Sequence, residues 1–470
     1  MIPLLSRAEA LERVTRALAA AKRFGATQSE AVLMTDVSAL TRYAVDRIHQ
    51  HVGERNAELR IRAVVEARGA VAAGNRLDPQ GIDELAERAV SMARASEPDT
   101  GLEVMPESPG GGYVDQTTYY ESTARLDADE RATVVGQILH RLSEAGQDGF
   151  GALTNGVSEL AVANSHGIRA YQAFTDVWLS VIARARERGD GTQPPSGYAT
   201  AANRDWVELD PQLVASAAME KAAPRERREV PLGRYRVLFE EEAAAELLSY
   251  LGYLALNGLA FEEGRSLFSG KLGEPRYPSL LTVRDDPTDV RGANLSFDFE
   301  GVAKAPYTLI RDGRVERVVW DTLRAKQSRE RRGSGEESTG HALPAPNTYG
   351  PLPYNLVLAG GESDREELLR TLDHGLLVTR FHYSNTVDPA KTLLTGMTRD
   401  GTFLVEGGRI VARTQDLRWV DSVDSLLKGV IAVGERPRLI SEGPGYDLRF
   451  LSGVLAAALV CESFHVTGSA

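Results

Sequence analysis

Ala223-Pro224-Arg225-Glu226-Arg227-Arg228-Glu229 is charged, contains a helix breaker and offers no apolar face, so it reads as a connection between two folded units. It divides 470 residues, too many for one ordinary hydrophobic core, into a first domain 1–228 and a second domain 229–470. Upstream, helix and strand signals are mixed. Ser6-Arg7-Ala8-Glu9 is a capping box, Leu11, Val14 and Leu18 recur at helical spacing, and Gly25 can end that helix. Asp78-Pro79 opens a second helix, a third spans 127–144, and a short one follows Asp210-Pro211. Strand-like stretches lie at 30–38, 40–51, 57–66, 70–73, 158–164 and 168–185. Residues 97–121, centred on Gly110-Gly111-Gly112, form a connection. Downstream, a helix over about 241–258 opens a strand-rich half. Arg311-Asp312-Gly313-Arg314 and Glu406-Gly407-Gly408-Arg409 are hairpin-turn signals. Residues 327–350, around Gly333-Ser334-Gly335, read as a long polar loop, mobile or ordered only by a partner. The expected fold class is α+β with two domains. The first mixes helices and strands, and the second is a strand-rich antiparallel β domain with a long opening helix.

Composition narrows the function classes. Lys and Arg total 54 against 66 Asp and Glu, a formal charge of −12, which argues against nucleic acid as a partner. No run approaches the roughly 20 apolar residues that span a bilayer, so no membrane partner is expected. Met1-Ile2-Pro3-Leu4-Leu5-Ser6 lacks a basic stretch followed by an apolar run, and the single Cys461 cannot form an internal disulfide. The cytoplasm is the expected compartment.

Several chemical motifs are absent. Gly264 to Lys271 resembles a phosphate loop but has one spacer too many, and Leu272 stands where Ser or Thr would hold magnesium. There is no Gly-x-Ser-x-Gly elbow and no His-Glu-x-x-His. His49 and His51 share one face of a probable strand but lack a nearby carboxylate as third ligand, so an exposed polar face is the favoured reading. Cys461 lies in an apolar run and reads as a buried structural thiol. The densest polar cluster is Arg380-Phe381-His382-Tyr383-Ser384-Asn385 followed by Thr395 to Gly401. His382, Tyr383, Asn385, Thr398 and Arg399 are its candidate substrate-binding residues. Two readings stand open: a site that hydrogen-bonds an extended peptide or a carboxylate, or a hairpin whose polar groups satisfy one another.

Thr41-Arg42-Tyr43-Ala44-Val45-Asp46-Arg47-Ile48-His49-Gln50 resembles the N-terminal signature of the TldD/TldE family, also called PmbA or modulator of DNA gyrase. The resemblance continues through Ser266 to Glu274, Asp285-Asp286-Pro287, Phe299 to Ala303, Ser338-Thr339-Gly340-His341, Thr395 to Gly401 and Asp421-Ser422, in family order. It implies a cytoplasmic metallopeptidase complex that trims or degrades peptides. In the catalytic branch, the helix opening the second domain carries His-Glu-x-x-x-His, and a cysteine near the C-terminus completes a zinc site.

This sequence departs from that pattern at the site itself. The motif positions fall on Ser249-Tyr250-Leu251-Gly252-Tyr253-Leu254, so Ser249 and Leu254 stand for the two imidazoles and Tyr250 for the carboxylate. The cysteine position falls near Glu442-Gly443-Pro444. The resemblance is therefore to the TldE/PmbA branch. It implies no cofactor and no metal in this chain, zinc in a TldD-like partner, and a heterodimer with that subunit or a homodimer. The alternatives are a stand-alone zinc-independent enzyme acting on a peptide or small molecule, and a peptide-binding scaffold or regulator.

Overall fold

Ser6 caps the first helix: its hydroxyl accepts from the Glu9 N–H, and the Glu9 carboxylate accepts back from the Ser6 N–H. That helix, α1 (Arg7–Phe24), buries Val14, Ala17 and Leu18 and ends where Gly25 turns left-handed at φ 104°. The structure, a computed structural model, describes residues 1, 3–98, 105–108, 112–186, 194–333, 336–443, 449 and 451–469. Gly110, Gly111, Ser334, Gly335 and Pro444 lie outside the described residues.

The first sheet runs β1 (Gln28–Val45), β2 (Arg47–Val65), β3 (Arg68–Gly74), β4 (Gln147–Asn164), β5 (Arg169–Ala185) and β6 (Ser196–Asn203). The strands are antiparallel throughout, in the order β3-β2-β1-β4-β5-β6. Two expectations change here. The stretches 30–38 and 40–51 are not separate strands: β1 pairs continuously with β4 through Ala39, and the chain turns only at Val45 and Asp46, with Val45 at φ 65°. The strand expected at 158–164 begins at Gln147. Four helices pack on one face: α1, α2 (Pro79–Ala95), α4 (Ala128–Glu144) and α5 (Pro211–Lys221), with α3 (Glu121–Arg125) a single turn. Alternation explains the arrangement. Ala31, Leu33, Leu153 and Val177 point toward the helices, while Val32, Leu160 and Val162 point away and pack on Leu295, Phe297 and Phe299 of the second half.

The second half continues with β7 (Gly233–Phe239), α6 (Glu241–Leu254), α7 (Gly258–Glu262), β8 (Val283–Asp285), β9 (Tyr307–Arg311), β10 (Arg314–Val315) and α8 (Thr322–Arg332). Next come β11 (Leu356–Leu358), α9 (Arg365–Leu372), β12 (Gly375–Asp388), β13 (Leu393–Glu406) and β14 (Arg409–Arg413). The chain ends with β15 (Leu417–Ser422), α10 (Val423–Lys428), β16 (Val430–Val433), β17 (Arg438–Ile440), β18 (Val454–Ala456) and β19 (Leu459–Ser469). One sheet has the order β10-β9-β8-β11-β18-β17. In the other, β12 pairs with both β7 and β13, β13 with β15, β15 with β19 and β19 with β7, so the ring closes into a small barrel. Phe239, Phe381, Trp419 and Phe464 fill it, with the Phe381 and Trp419 ring centroids 4.6 Å apart. Most pairings are antiparallel as expected. β7–β12 and β11–β18 are parallel.

The two hairpin signals hold: β9 turns to β10 and β13 to β14. Two expectations in this half are corrected. The opening helix stops at Leu254, and Asn257 caps a new one by accepting from the N–H groups of Leu259 and Ala260. The stretch 327–350 is not one polar loop. Its first residues complete α8, which is capped by Asp321, and Thr339, Gly340 and His341 are tied into the interior. There His341 lies 3.3 Å from Asp285, whose carboxylate also takes the Lys304 ammonium at 3.2 Å. Lys304, Asp285 and His341 are all fully buried, so their mutual pairing holds this segment in place.

Candidate functional site

Ala243-Ala244-Ala245 and Leu247-Leu248 make α6 helical and apolar, and it packs between the barrel strand β12 and the second-half strands β17 and β18. This packing decides the surroundings of Ser249, Tyr250 and Leu254, the positions that the resemblance assigns to the zinc motif. Leu254 is buried in the apolar core, Ser249 faces solvent with its hydroxyl, and the Tyr250 phenol donates to the Ser384 carbonyl at 2.7 Å. One turn earlier, Glu246 is raised above its ordinary value by burial, with Glu442 adding to the rise. A zinc ion needs imidazole, thiolate or carboxylate donors converging on one point, and these side chains do not supply them. The residues present do not fit the metal. Among the described residues, no three His, Cys, Asp or Glu side chains are grouped to hold an ion.

Of the other metal suspects, His49 is exposed on β2, while His51 is engaged by protein groups and Cys461 is buried. His51 Nδ1 lies 3.0 Å from Thr41 Oγ1 and its Nε2 lies 3.3 Å from an Arg131 nitrogen, so both ring nitrogens have protein partners. Cys461 is fully buried in β19, and burial pushes its thiol far up.

The polar cluster divides between the two sides of the β12–β13 ribbon. Thr398 points into the barrel, where its hydroxyl accepts from Thr402 Oγ1 and from the Leu417 N–H. His382 and Arg399 lie on the outer side, and burial together with Arg399 and Arg380 lowers the His382 imidazole. A bulge separates His382 from Asn385, Tyr383 adopts φ 51°, and its ring stands edge-on to His382 at 4.3 Å. Asn385 donates to the Tyr383 carbonyl and is exposed. Thus His382, Tyr383, Asn385 and Arg399 share an accessible surface, and Thr398 does not.

A larger feature was not legible in the sequence. The sheet face turned away from the helices borders a cleft of about 1130 Å³, lined by Arg42, Gln50, Glu54, Thr154 and Trp178 among others. Glu442 and Arg449 reach it from the second half. Arg449 is buried, donates bidentately to Asp176 and bonds Thr154 Oγ1 at 2.7 Å. Trp178 donates its indole N–H to the Ser441 carbonyl at 3.1 Å. Nearby, Arg380 stacks over Tyr198 at 4.0 Å and is joined to Asp400, which accepts from Ser196 Oγ at 2.6 Å. Only spatial proximity joins these residues. The one signal in the sequence was the charge of Arg380 and Asp400 within the cluster already noted.

Comparison with known proteins gives consistent matches. The family model of the PmbA/TldA metallopeptidase C-terminal domain matches residues 232–468, and that of the central domain matches residues 75–224. A metalloprotease of Methanothermobacter thermautotrophicus is 26% identical over 381 residues, covering 77% of this chain and 78% of its own length. A metalloprotease TldD homolog of Haemophilus influenzae is 23% identical over 329 residues, covering 68% of this chain and 64% of its own. TldE from Thermococcus kodakarensis has the same fold, with TM-score 0.85 at 20% identity over 97% of this chain and 100% of that one. A Thermotoga maritima protein described as a modulator of a DNA gyrase aligns at TM-score 0.81 and 20% identity, over 97% and 99% of the two chains.

Proposed function

Because the chain belongs to the PmbA/TldD metallopeptidase family, we propose that it is a non-catalytic, TldE-like subunit of a zinc metallopeptidase complex that processes peptides in the cytoplasm. One observation carries this reading: at the positions of the zinc motif stand a core leucine, a solvent-facing serine and a tyrosine bonded to the Ser384 backbone. A helix so placed supports the fold and contributes no ligand. In this reading a TldD-like partner, or a second copy, completes the assembly, and zinc resides in a TldD-like chain. The cleft of about 1130 Å³ beside Glu442 and Arg449 would form this chain's wall of the peptide channel. Arg399, His382, Tyr383 and Asn385, which lie outside the lining of that cleft, are this chain's further candidate contacts to the peptide. No helix among the described residues is long and apolar enough to cross a membrane.

Co-expression with a TldD-like chain tests the assignment. Peptidase activity is expected only when both chains are present, with zinc counted in the partner and well below one equivalent in this chain alone. Turnover by this chain alone, or zinc retained by it through dialysis, overturns the reading.

A further inference from the structure

We propose that the cavity between α5 and the β13–β14 hairpin binds a dipeptide with apolar side chains and both termini free. This cavity of about 500 Å³ lies at the seam of the two halves, a usual place and size for a ligand site. No residue lines both it and the large cleft, so the two are separate. Helix α5 buries Val214, Ala215 and Ala218. Leu213 and Ala217, one turn apart, stay partly open and line the cavity. Phe403 and Ile410 line it from the hairpin. Leu213 is 68% exposed, an aliphatic side chain that a ligand would cover.

The charges select the ligand. Most of the polar wall neutralises itself: Glu240 takes Lys221 at 2.8 Å and Arg365 at 2.9 Å, and Arg438 meets Glu241 at 3.1 Å. Asp210 is occupied in capping α5. Glu208, Glu220 and Arg225 also line the cavity, all exposed, and none has an ion-pair partner among the described residues. The Arg225 guanidinium lies 5.7 Å over the Phe403 ring, which sets it against the apolar floor. An ammonium satisfies the free carboxylates, a carboxylate takes the forked Arg225, and aliphatic side chains cover Leu213, Ala217 and Phe403. A phosphorylated ligand would meet more free carboxylates than free cations. A purely apolar one would leave Arg225 desolvated without a counter-charge. A free dipeptide carries all three complements. It is also the class of product that peptide processing releases, so the subunit reading supplies a source for it, although the site does not depend on that reading.

Isothermal titration calorimetry of the full chain alone tests this, with leucyl-leucine as the probe. Saturable binding is expected in the micromolar-to-millimolar range. N-acetyl-leucyl-leucine lacks the ammonium and leucyl-leucinamide lacks the carboxylate, and each should bind about tenfold or more weakly. Arg225→Ala should erase the preference for the carboxylate over the amide. Glu208→Gln with Glu220→Gln should erase the preference for the free amine. These side chains are exposed, so the melting temperature of each variant should hold. Absence of leucyl-leucine binding overturns the proposal. So does equal binding of the blocked peptides, or a preference that survives these substitutions, because the ligand then sits elsewhere. No TldD-like chain and no turnover enter the measurement, so its failure is separate from failure of the subunit assignment.

Discussion

Tyr250 donates its phenolic hydrogen to the Ser384 carbonyl at 2.7 Å, tying the middle of α6 to the bulge of β12. At the next helical turn Leu254 is sealed in the core. The two positions thus have opposite roles: one makes a single polar tie, the other fills apolar volume. Tyr250→Phe should therefore cost about 0.5–1.5 kcal/mol, the worth of one net hydrogen bond. Leu254→His should cost more, about 1–3 kcal/mol, because an imidazole there lacks a partner. Urea unfolding of both variants checks the order. Equal effects would mean that α6 is looser at Leu254 than its burial indicates.

Arg449, which lines the cleft, forms a buried ion pair with Asp176 at an Nε–Oδ1 distance of 2.7 Å. Removing one partner strands the other away from water. Asp176→Ala should cost about 3–5 kcal/mol, and the double change Asp176→Ala with Arg449→Met should recover part of that loss. Unfolding midpoints of the single and double variants decide the matter. A double variant no better than Asp176→Ala would show that Thr154 and the Arg449 backbone contacts matter more than the charge.

Stability should fall as pH rises across neutrality. Glu30 is fully buried, and burial lifts it from 4.5 to about 7, with Glu300 adding to the rise and Arg62 opposing it. Burial, reinforced by Glu300, also raises Asp298 and Asp321. A carboxyl raised in the folded state binds its proton more tightly there than in the unfolded chain. Its stabilising contribution is complete below about 4.5 and is lost as pH passes through about 7. Glu240 acts oppositely. Lys221 and Arg365 outweigh the effect of burial and hold it at about 2, so its contribution disappears only as pH falls from 4.5 toward 2. Melting temperature should decline between about pH 5 and pH 7.5, and Glu30→Gln should flatten that decline. A flat profile in the parent protein would contradict the raised buried carboxyls.

What the sequence determined by itself was local. The capping box at Ser6 and Glu9, the Asp78 cap, the Gly25 stop and the two glycine hairpins act within a few residues, where propensity and periodicity reach. The resemblance to the family likewise pointed to 249, 250 and 254 as the zinc-motif positions. It could not show their fates, because Leu254 in the core and Tyr250 on the Ser384 carbonyl depend on what α6 packs against. Strand limits failed where pairing overrode composition: Ser38 to Leu40 looked like a break, yet β1 is held there by partners on both sides. The barrel closure, the cleft and the Asp176–Arg449 pair were decided only in three dimensions. Asp176 and Arg449 alone lie 273 positions apart. Residues so distant leave no periodic mark on one another, and they meet only once sheets assembled from the whole chain bring them into contact.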